Sequence, residues 1–234
     1  MSKERLFLNQ TPRLVLIAGA TSASGIACAR ALTEAGAQVL AVGSNQTRLD
    51  ERLAFAKARY ECDLTDFAAV EALARRIHED HGPIDSLIHL VGGWRGGKSI
   101  VGQSDEDWDF LQRMVLTTLR NTTRAFVQDL LDSPSGRLAI VSAQAVTNPT
   151  PSNANYGAVK AAAEHWVNAI ARLFSKNAPN AAAVSWVVKA LSEKSAEDAP
   201  AGHTPVSYLA QSAIDLLADD AVAHNGTRMV LPSA

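Results

Sequence analysis

The sequence has few cysteines, few aromatic residues and almost no net charge. Only two of its 234 residues are cysteines, Cys28 and Cys62. Both lie in segments that predict a core helix or strand, so we expect buried free thiols rather than a disulfide or a metal pair. A formal net charge of -2 at pH 7 gives no electrostatic reason to expect nucleic acid or an anionic membrane as a partner. The six histidines show no metal-ligand spacing, and no metal is predicted.

Long apolar runs are also missing. The first residues, MSKERLFLNQTPR, lack the apolar run of a signal peptide, and no later segment approaches the length of a membrane span. We therefore expect a soluble, cytoplasmic protein. The length suits one α/β domain, and we predict an N-terminal extension over residues 1–12 followed by a single domain over residues 13–234.

Apolar runs of strand length alternate with helical patterns along the chain. Strands are predicted at residues 13–19, 37–43, 59–64, 85–93, 136–142, 181–188 and 227–232, and helices at residues 25–35, 46–58, 65–82 (capped by Thr65), 105–131, 155–174 and 206–217. Continuous apolar strands are typical of a sheet that is covered on both faces. The pattern predicts a doubly wound parallel sheet of Rossmann type, with about seven strands and helices on both faces. The polar residues 189–205 predict a mobile surface loop, which either covers a site or is only a linker.

A turn of small residues, GATSASGIA (residues 19–27), follows the first strand and opens the first helix. Small residues let the backbone approach a pyrophosphate, and the helix N-terminus supplies unpaired N–H groups and the positive end of a dipole. Because the spacing is not G-x-G-x-x-G, a purely geometric turn is the alternative. The candidates for cofactor contact in this turn are Gly19, Thr21, Ser22, Ser24, Gly25 and Ile26.

A second motif, NYGAVK, places Tyr156 and Lys160 four residues apart on one face of a predicted helix. The pKa of an isolated tyrosine is about 10, and a neighbouring ammonium group stabilises the phenolate and lowers that pKa. The pair suits general acid–base catalysis. A chance pairing on a helix is the alternative.

In their order along the chain, these motifs resemble those of the short-chain dehydrogenase/reductase family, and the resemblance covers nearly the whole chain. The spacing of Gly19, Gly25 and Ala27 is similar to that of the family's divergent enoyl-reductase branch. The segment CDLTD resembles the family's adenine-contacting segment, which implies that Asp63 and Leu64 lie beside the base.

The later motifs carry the same resemblance. The segment HLVGG stands where the family has an Asn-Asn-Ala-Gly stretch, which implies that Val91, Gly92 and Gly93 lie near the cofactor ribose. The segment NYGAVK matches the Tyr-x-x-x-Lys signature of the family. This match implies that Tyr156 donates a proton, while Lys160 lowers the tyrosine pKa and orients the nicotinamide ribose.

The choice of nicotinamide cofactor depends on the end of the second strand. An acidic residue about 20 residues past the glycine turn would bind the adenosine ribose hydroxyls and favour NAD. The strand ends instead in VGSNQTR, and the first acid after it is Asp50. Ser44, Asn45 and Arg48 could contact the ribose phosphate of NADP, so the sequence favours NADP over NAD. The alternative is that these three residues only turn the chain into the next helix.

Two residues of the family's usual catalytic tetrad are absent: the serine corresponds to Ala143 and the asparagine to Val115. Ser142 is adjacent, but consecutive residues of a strand point to opposite faces. The segment VGGWRGG (residues 91–97) resembles the Gly-Gly-Trp-x-Gly-Gly loop of the dihydropteridine reductases, a branch that also lacks both groups. This resemblance implies a quinonoid dihydropterin as substrate, with Trp94 as an aromatic wall for a planar ring. Alternatively, Trp94 packs the loop onto the body of the protein.

These observations support three hypotheses. The first is an NAD(P)(H)-dependent oxidoreductase that transfers a hydride to a small carbonyl or imine substrate, with Tyr156 as proton donor. The second is a non-catalytic nucleotide-binding or sensing protein on the same fold, since a fold does not determine a function. The third is a carbonyl reductase in which loop movement brings Ser142 into the vacant serine position. The family resemblance also implies a homo-oligomer, a dimer or tetramer, formed through the helices at residues 105–131 and 155–174.

Overall fold

Seven strands form one parallel sheet in the computed structural model, which describes residues 12–234. They are β1 (Leu14–Ala18), β2 (Gln38–Gly43), β3 (Ala58–Glu61), β4 (Ser86–His89), β5 (Arg137–Ala143), β6 (Ala182–Val188) and β9 (Arg228–Val230); β7 (Leu191–Ser192) and β8 (Thr204–Pro205) form a separate pair. The order across the sheet is β3-β2-β1-β4-β5-β6-β9. The strand order therefore reverses between β1 and β4, where open α/β sheets bind ligands outside the carboxyl ends of their strands. The predicted Rossmann-type sheet is confirmed.

Helices cover both faces of this sheet. They are α1 (Ala23–Glu34), α2 (Gln46–Arg52), α3 (Phe67–His81), α4 (Asp105–Leu111), α5 (Thr118–Asp132), α6 (Ala154–Asn177), α7 (Val206–Ala218) and α8 (Ala221–His224). Because side chains of a strand alternate between faces, Leu14 and Leu16 of β1 enter one core with α3, α5 and α6. Val15 and Ile17 enter a second core with α1, α2 and α7. The continuous apolar strands thus reflect burial on both sides.

Besides three strands that end two to four residues earlier than predicted, at Glu61, His89 and Val230, four local predictions differ from the structure. Helix α2 ends at Arg52 rather than at residue 58, because Leu53 leaves helical geometry and packs into the core. Thr65 does not cap α3: Asp66 does, and its side chain accepts a hydrogen bond from the Ala68 N–H at 2.9 Å. Thr65 is instead bonded to Asp63 through its N–H and its hydroxyl.

The other two differences concern the long helix and the polar loop. The helix predicted at residues 105–131 contains a π-helical segment, Gln112–Thr117, between α4 and α5. Next to it, the Thr118 hydroxyl donates to the Met114 carbonyl at 2.7 Å. The loop predicted at residues 189–205 is closed at its base by the pairing of β7 with β8.

Both cysteines are buried free thiols, as expected. Burial raises the pKa of Cys28 to about 12. Burial, together with Asp63 and Asp66, raises the pKa of Cys62 to about 11. Within residues 12–234, no helix has the length and apolar character needed to cross a membrane, and no group of three or more histidine, cysteine, aspartate or glutamate side chains is arranged to hold a metal ion.

Candidate active site

Two glycines of the turn between β1 and α1 stand where a larger residue would not fit. Ser22 begins α1: its hydroxyl accepts from the Gly25 N–H at 3.0 Å and donates to the Gly19 carbonyl at 2.8 Å. Gly19 has φ +81°, a conformation that favours glycine. A Cβ on Gly25 would lie 2.5 Å from the Gly19 oxygen, so a side chain there would displace the backbone. The turn therefore keeps the N-terminus of α1 close to the ends of β1 and β4.

A first cleft of about 940 Å³ opens beside this turn, at the carboxyl ends of β1, β2 and β3. Six of the predicted cofactor contacts line it: Gly19, Thr21, Ser44, Asp63, Leu64 and Val91. Three of its other lining residues, Arg113, Met114 and Thr118, come from the π-helical segment and the start of α5. Hydrogen bonds from Thr65 hold the pKa of Asp63 below its usual value, with a smaller contribution from Arg113. Asp63 thus remains an ionised acceptor in this cleft.

A second cleft, of about 410 Å³, adjoins the first one, since Val91 lines both. It contains the predicted residues Ser24, Val91, Gly92, Gly93, Trp94, Tyr156 and Lys160. Its remaining walls include Lys189, Ala190 and Leu191, which follow β6. Together the two clefts make up a groove with Asp63 and Leu64 in one part and Tyr156 and Lys160 in the other.

Not every predicted residue reaches this groove. The Asn45 side chain caps α2 by accepting from the Arg48 N–H at 2.8 Å, and neither residue lines a cleft. Ser22 and Gly25 shape the turn from within it, while Ile26 packs against the core. Ser44 is the only one of the three proposed phosphate contacts that lies in the described groove.

Tyr156 and Lys160 lie together, with the Lys160 Nζ 5.8 Å from the centre of the tyrosine ring. The ammonium group donates to the Val141 carbonyl at 2.8 Å. Burial lowers the pKa of Lys160 to about 8, and the charge of Glu164 acts in the opposite direction. The expectation that Lys160 lowers the tyrosine pKa stays a prediction. Burial raises the pKa of Tyr156, which keeps its hydroxyl protonated at neutral pH.

The Ser142 hydroxyl is bonded to Glu164 rather than to Tyr156 or Lys160. It donates to Glu164, which lies on α6 four residues after Lys160. The Nε atom of Arg228 lies 3.1 Å from each Glu164 carboxylate oxygen, and its Nη2 atom donates to the Ala143 carbonyl at 2.9 Å. Glu164 was not among the predicted site residues; its i+4 spacing from Lys160 on the same helix was the available signal.

Val115 and Ala143, the residues that replace the asparagine and serine of the family tetrad, are both buried. Val115 lies in the π-helical segment and is buried, with its Cγ2 3.8 Å from where a Cβ on Gly92 would stand. Ala143, also buried, lines a side cavity of about 200 Å³ together with Trp94, Gln144, Ala145, Asn148, Asn153, Tyr156 and Lys189. The Trp94 side chain is 62% exposed, so it is not packed into the body of the protein.

Residues 13–190 match the family model described as short chain dehydrogenase. The chain belongs to the short chain dehydrogenase family. It is 32% identical to the 2,3-dihydro-2,3-dihydroxybenzoate dehydrogenase of Bacillus subtilis over 157 residues, which cover 64% of this chain and 60% of the relative. It is 24% identical to a 3-oxoacyl-[acyl-carrier-protein] reductase of Vibrio harveyi over 168 residues, 70% of this chain and 68% of the relative.

The chain thus spans less than two thirds of the length of the first of these short chain dehydrogenases. Solved structures extend the similarity of fold over almost all of it. An apo short chain oxidoreductase from Pseudomonas aeruginosa PAO1, described as containing an atypical catalytic center, superposes with a TM-score of 0.80 at 17% identity, covering 93% of this chain and 95% of the other. A Rossmann-type oxidoreductase fold is common to this family, and NAD(P) binding is typical of it.

Proposed function

We propose that this short chain dehydrogenase is an NAD(P)(H)-dependent reductase of small carbonyl or imine compounds. The observation that carries the proposal is the groove itself: Tyr156 and Lys160 line a cleft that continues, through Val91, into the cleft beside the glycine turn. This arrangement supports a proton donor beside a nucleotide site. The same proposal includes a single domain over residues 13–234 and a cytoplasmic protein.

The residues present fit a dinucleotide. At Gly19 and Gly25 an added side chain would meet the backbone, and the turn presents the N-terminus of α1, which suits a pyrophosphate. Asp63 and Leu64 would flank the adenine, and Lys160 would hold the nicotinamide ribose. When bound in reduced form, the cofactor supplies the hydride. Ser44 and Arg113 line the adenine side, and β2 ends without a carboxylate, which supports NADP over NAD.

The protein itself would supply the proton, from the Tyr156 hydroxyl. Tyr156 keeps its proton at neutral pH because burial raises its pKa, so it would donate to the substrate oxygen or nitrogen as negative charge develops there. Lys160 would stabilise the resulting phenolate. The absent serine hydroxyl is then needed only where a substrate oxyanion requires a second donor. An imine-like substrate does not form one.

A quinonoid dihydropterin is the more specific candidate substrate, and Trp94 is the observation that favours it. The exposed indole lines both the second cleft and the side cavity with Tyr156. A planar ring could stack on it beside the proton donor. The loss of the serine and asparagine would be tolerated by this substrate.

The test is consumption of NADPH and of NADH, measured separately with a quinonoid dihydropterin and with a panel of aldehydes, ketones and imines. We expect reduction of at least one compound, faster with NADPH, and its loss in Tyr156→Phe. A Ser142→Ala variant is the matched control, and we expect it to keep its turnover because Ser142 faces Glu164. A drop of about 100-fold in that variant would instead support the serine as a catalytic group. Cofactor binding by calorimetry without turnover of any compound would favour a nucleotide-sensing protein.

A further inference from the structure

Lys189 lies between the second cleft and the side cavity. It is the first residue after β6, and it lines both the second cleft and the side cavity. The side cavity shares Trp94, Tyr156 and Lys189 with the second cleft and includes none of the glycine-turn residues. It therefore offers space to the substrate rather than to the cofactor.

The side cavity has apolar and polar lining residues and no acidic one. Three side-chain amides line it, those of Gln144, Asn148 and Asn153. No aspartate or glutamate lines either the second cleft or the side cavity within the described chain. The carboxylates of Glu164 and Asp107, on the neighbouring helices α6 and α4, are paired with Arg228 and with Arg95 (3.6 Å). Lys160 is the other cation that lines the second cleft.

The ammonium group of Lys189 is available for a ligand. Among residues 12–234 it has no hydrogen-bond or ion-pair partner, whereas the Lys160 ammonium is bound to the Val141 carbonyl. The Lys189 side chain passes over Gly202: a Cβ there would lie 3.4 Å from its Cδ and 3.5 Å from its Nζ. The lysine side chain therefore lies against Gly202 of the same loop.

We propose that the substrate carries a carboxylate, which Lys189 binds while the amides of the side cavity donate to its oxygens. The proposal rests on the reductase function proposed above and deepens it. Its substrate class is a small planar aldehyde or ketone with a carboxylate on the side away from the reacting carbonyl. A neutral dihydropterin would not use Lys189, so the two substrate candidates make opposite predictions for its removal.

The test compares para-formylbenzoate with its neutral methyl ester in Lys189→Met, Lys189→Arg and Lys194→Met. Lys194 is exposed on the same loop and lines none of these cavities, so it is the matched control. We expect Lys189→Met to lower kcat/KM at least tenfold for the acid through its KM, and to leave the ester unchanged. Lys189→Arg should retain most of the ratio of kcat/KM for the acid to kcat/KM for the ester. Lys194→Met should retain all of it.

A binding measurement separates failure of this inference from failure of the reductase function. In Tyr156→Phe with NADP⁺ present, quenching of tryptophan fluorescence should report para-formylbenzoate binding, and adding Lys189→Met should abolish it. Binding of this kind supports the carboxylate site even if no aldehyde is reduced. An unchanged kcat/KM for the acid as well as for the ester in Lys189→Met, or no binding of the acid, overturns the inference. An equal loss for both compounds with a raised KM for NADPH also overturns it, because Lys189 would then contact a cofactor phosphate.

Discussion

Lys160 is the buried charge on which the proposed site depends. Burial lowers its pKa from 10.5 to about 8, so between these values the unfolded chain retains a proton that the folded chain has released. Below about pH 8 the folded protein holds the buried charge at full cost. The stability of the fold therefore rises as the pH increases through about 8 towards 10.5.

We predict that Lys160→Met abolishes reductase activity and raises the free energy of unfolding by about 1–2 kcal/mol at neutral pH. The pKa shift corresponds to roughly 3 kcal/mol, and the lost hydrogen bond to Val141 offsets about 1 kcal/mol of it. Denaturant unfolding without cofactor would measure this, and the gain should shrink above about pH 8. Lys57→Met, on the exposed surface, should change neither quantity. A Lys160→Met protein less stable than the wild type at neutral pH would contradict the prediction.

At this scale the sequence identifies reactive residues better than it identifies their partners. The four-residue spacing of Tyr156 and Lys160 was sufficient to predict that they share a helix face. It could not show that Lys160 donates to Val141, or that Glu164 binds the Ser142 hydroxyl. These contacts join residues of β5 and α6, and they depend on how the strand and helix pack.

Among the structural elements, the loop that carries Trp94 is held by the Gln103 side chain together with the Gly97 N–H, which donates to the Ser152 carbonyl at 2.9 Å. The Gln103 Nε2 lies within hydrogen-bond distance of the carbonyls of Ser99, Pro151 and Ser152, at 3.1, 3.1 and 3.2 Å. Its Oε1 accepts from the Asn155 N–H at 3.2 Å. The loop is thereby fixed to the start of α6, just before Tyr156.

We predict that Gln103→Ala increases the mobility of this loop without unfolding the protein. Loss of these partly exposed hydrogen bonds should cost about 1–2 kcal/mol, raise the KM for the carbonyl substrate and leave the KM for NADPH unchanged. Hydrogen exchange of residues 92–104 should become faster than in the wild type. Gln128→Ala, which removes a single exposed contact to Asp132 within α5, is the control. Unchanged exchange in the Gln103 variant would show that the loop is held by other contacts.

The elements themselves were predictable to different degrees. Continuous apolar segments predicted all seven strands of the sheet, because burial on both faces leaves a strong pattern. The π-helical segment Gln112–Thr117 was not predicted, because an α-helical period was taken for the whole of residues 105–131. Strands β7 and β8 are two residues long, too short for any periodicity. Their pairing follows from tertiary contacts.

For the whole molecule, an apolar hollow of about 510 Å³ lies on the outer side of α6. Gly157, Ala158 and Ala161 form its floor, and Val146 and Ile100 border it. Ile100 is 63% exposed. Small side chains let two helices approach closely, so this side of α6 suits the predicted contact between copies of the chain.

We predict a homo-oligomer whose mass by light scattering is two or four times 24.9 kDa. Ala161→Arg should lower the mass towards that of one chain, because a long charged side chain cannot be buried in a close helix contact. Ala68→Arg, on the exposed side of α3, should leave the mass unchanged. A wild-type protein with the mass of one chain would refute the prediction.

The last residue of the chain is bonded to the loop that borders the side cavity. The Ala234 N–H donates to the His203 carbonyl, and the Ala234 carbonyl accepts from the Gly202 N–H, both at 2.9 Å. Gly202 is the residue over which Lys189 passes. An affinity tag or fluorescent fusion joined after Ala234 would therefore begin beside the proposed carboxylate site. Kinetic work on this protein should use a cleavable tag on the N-terminal side.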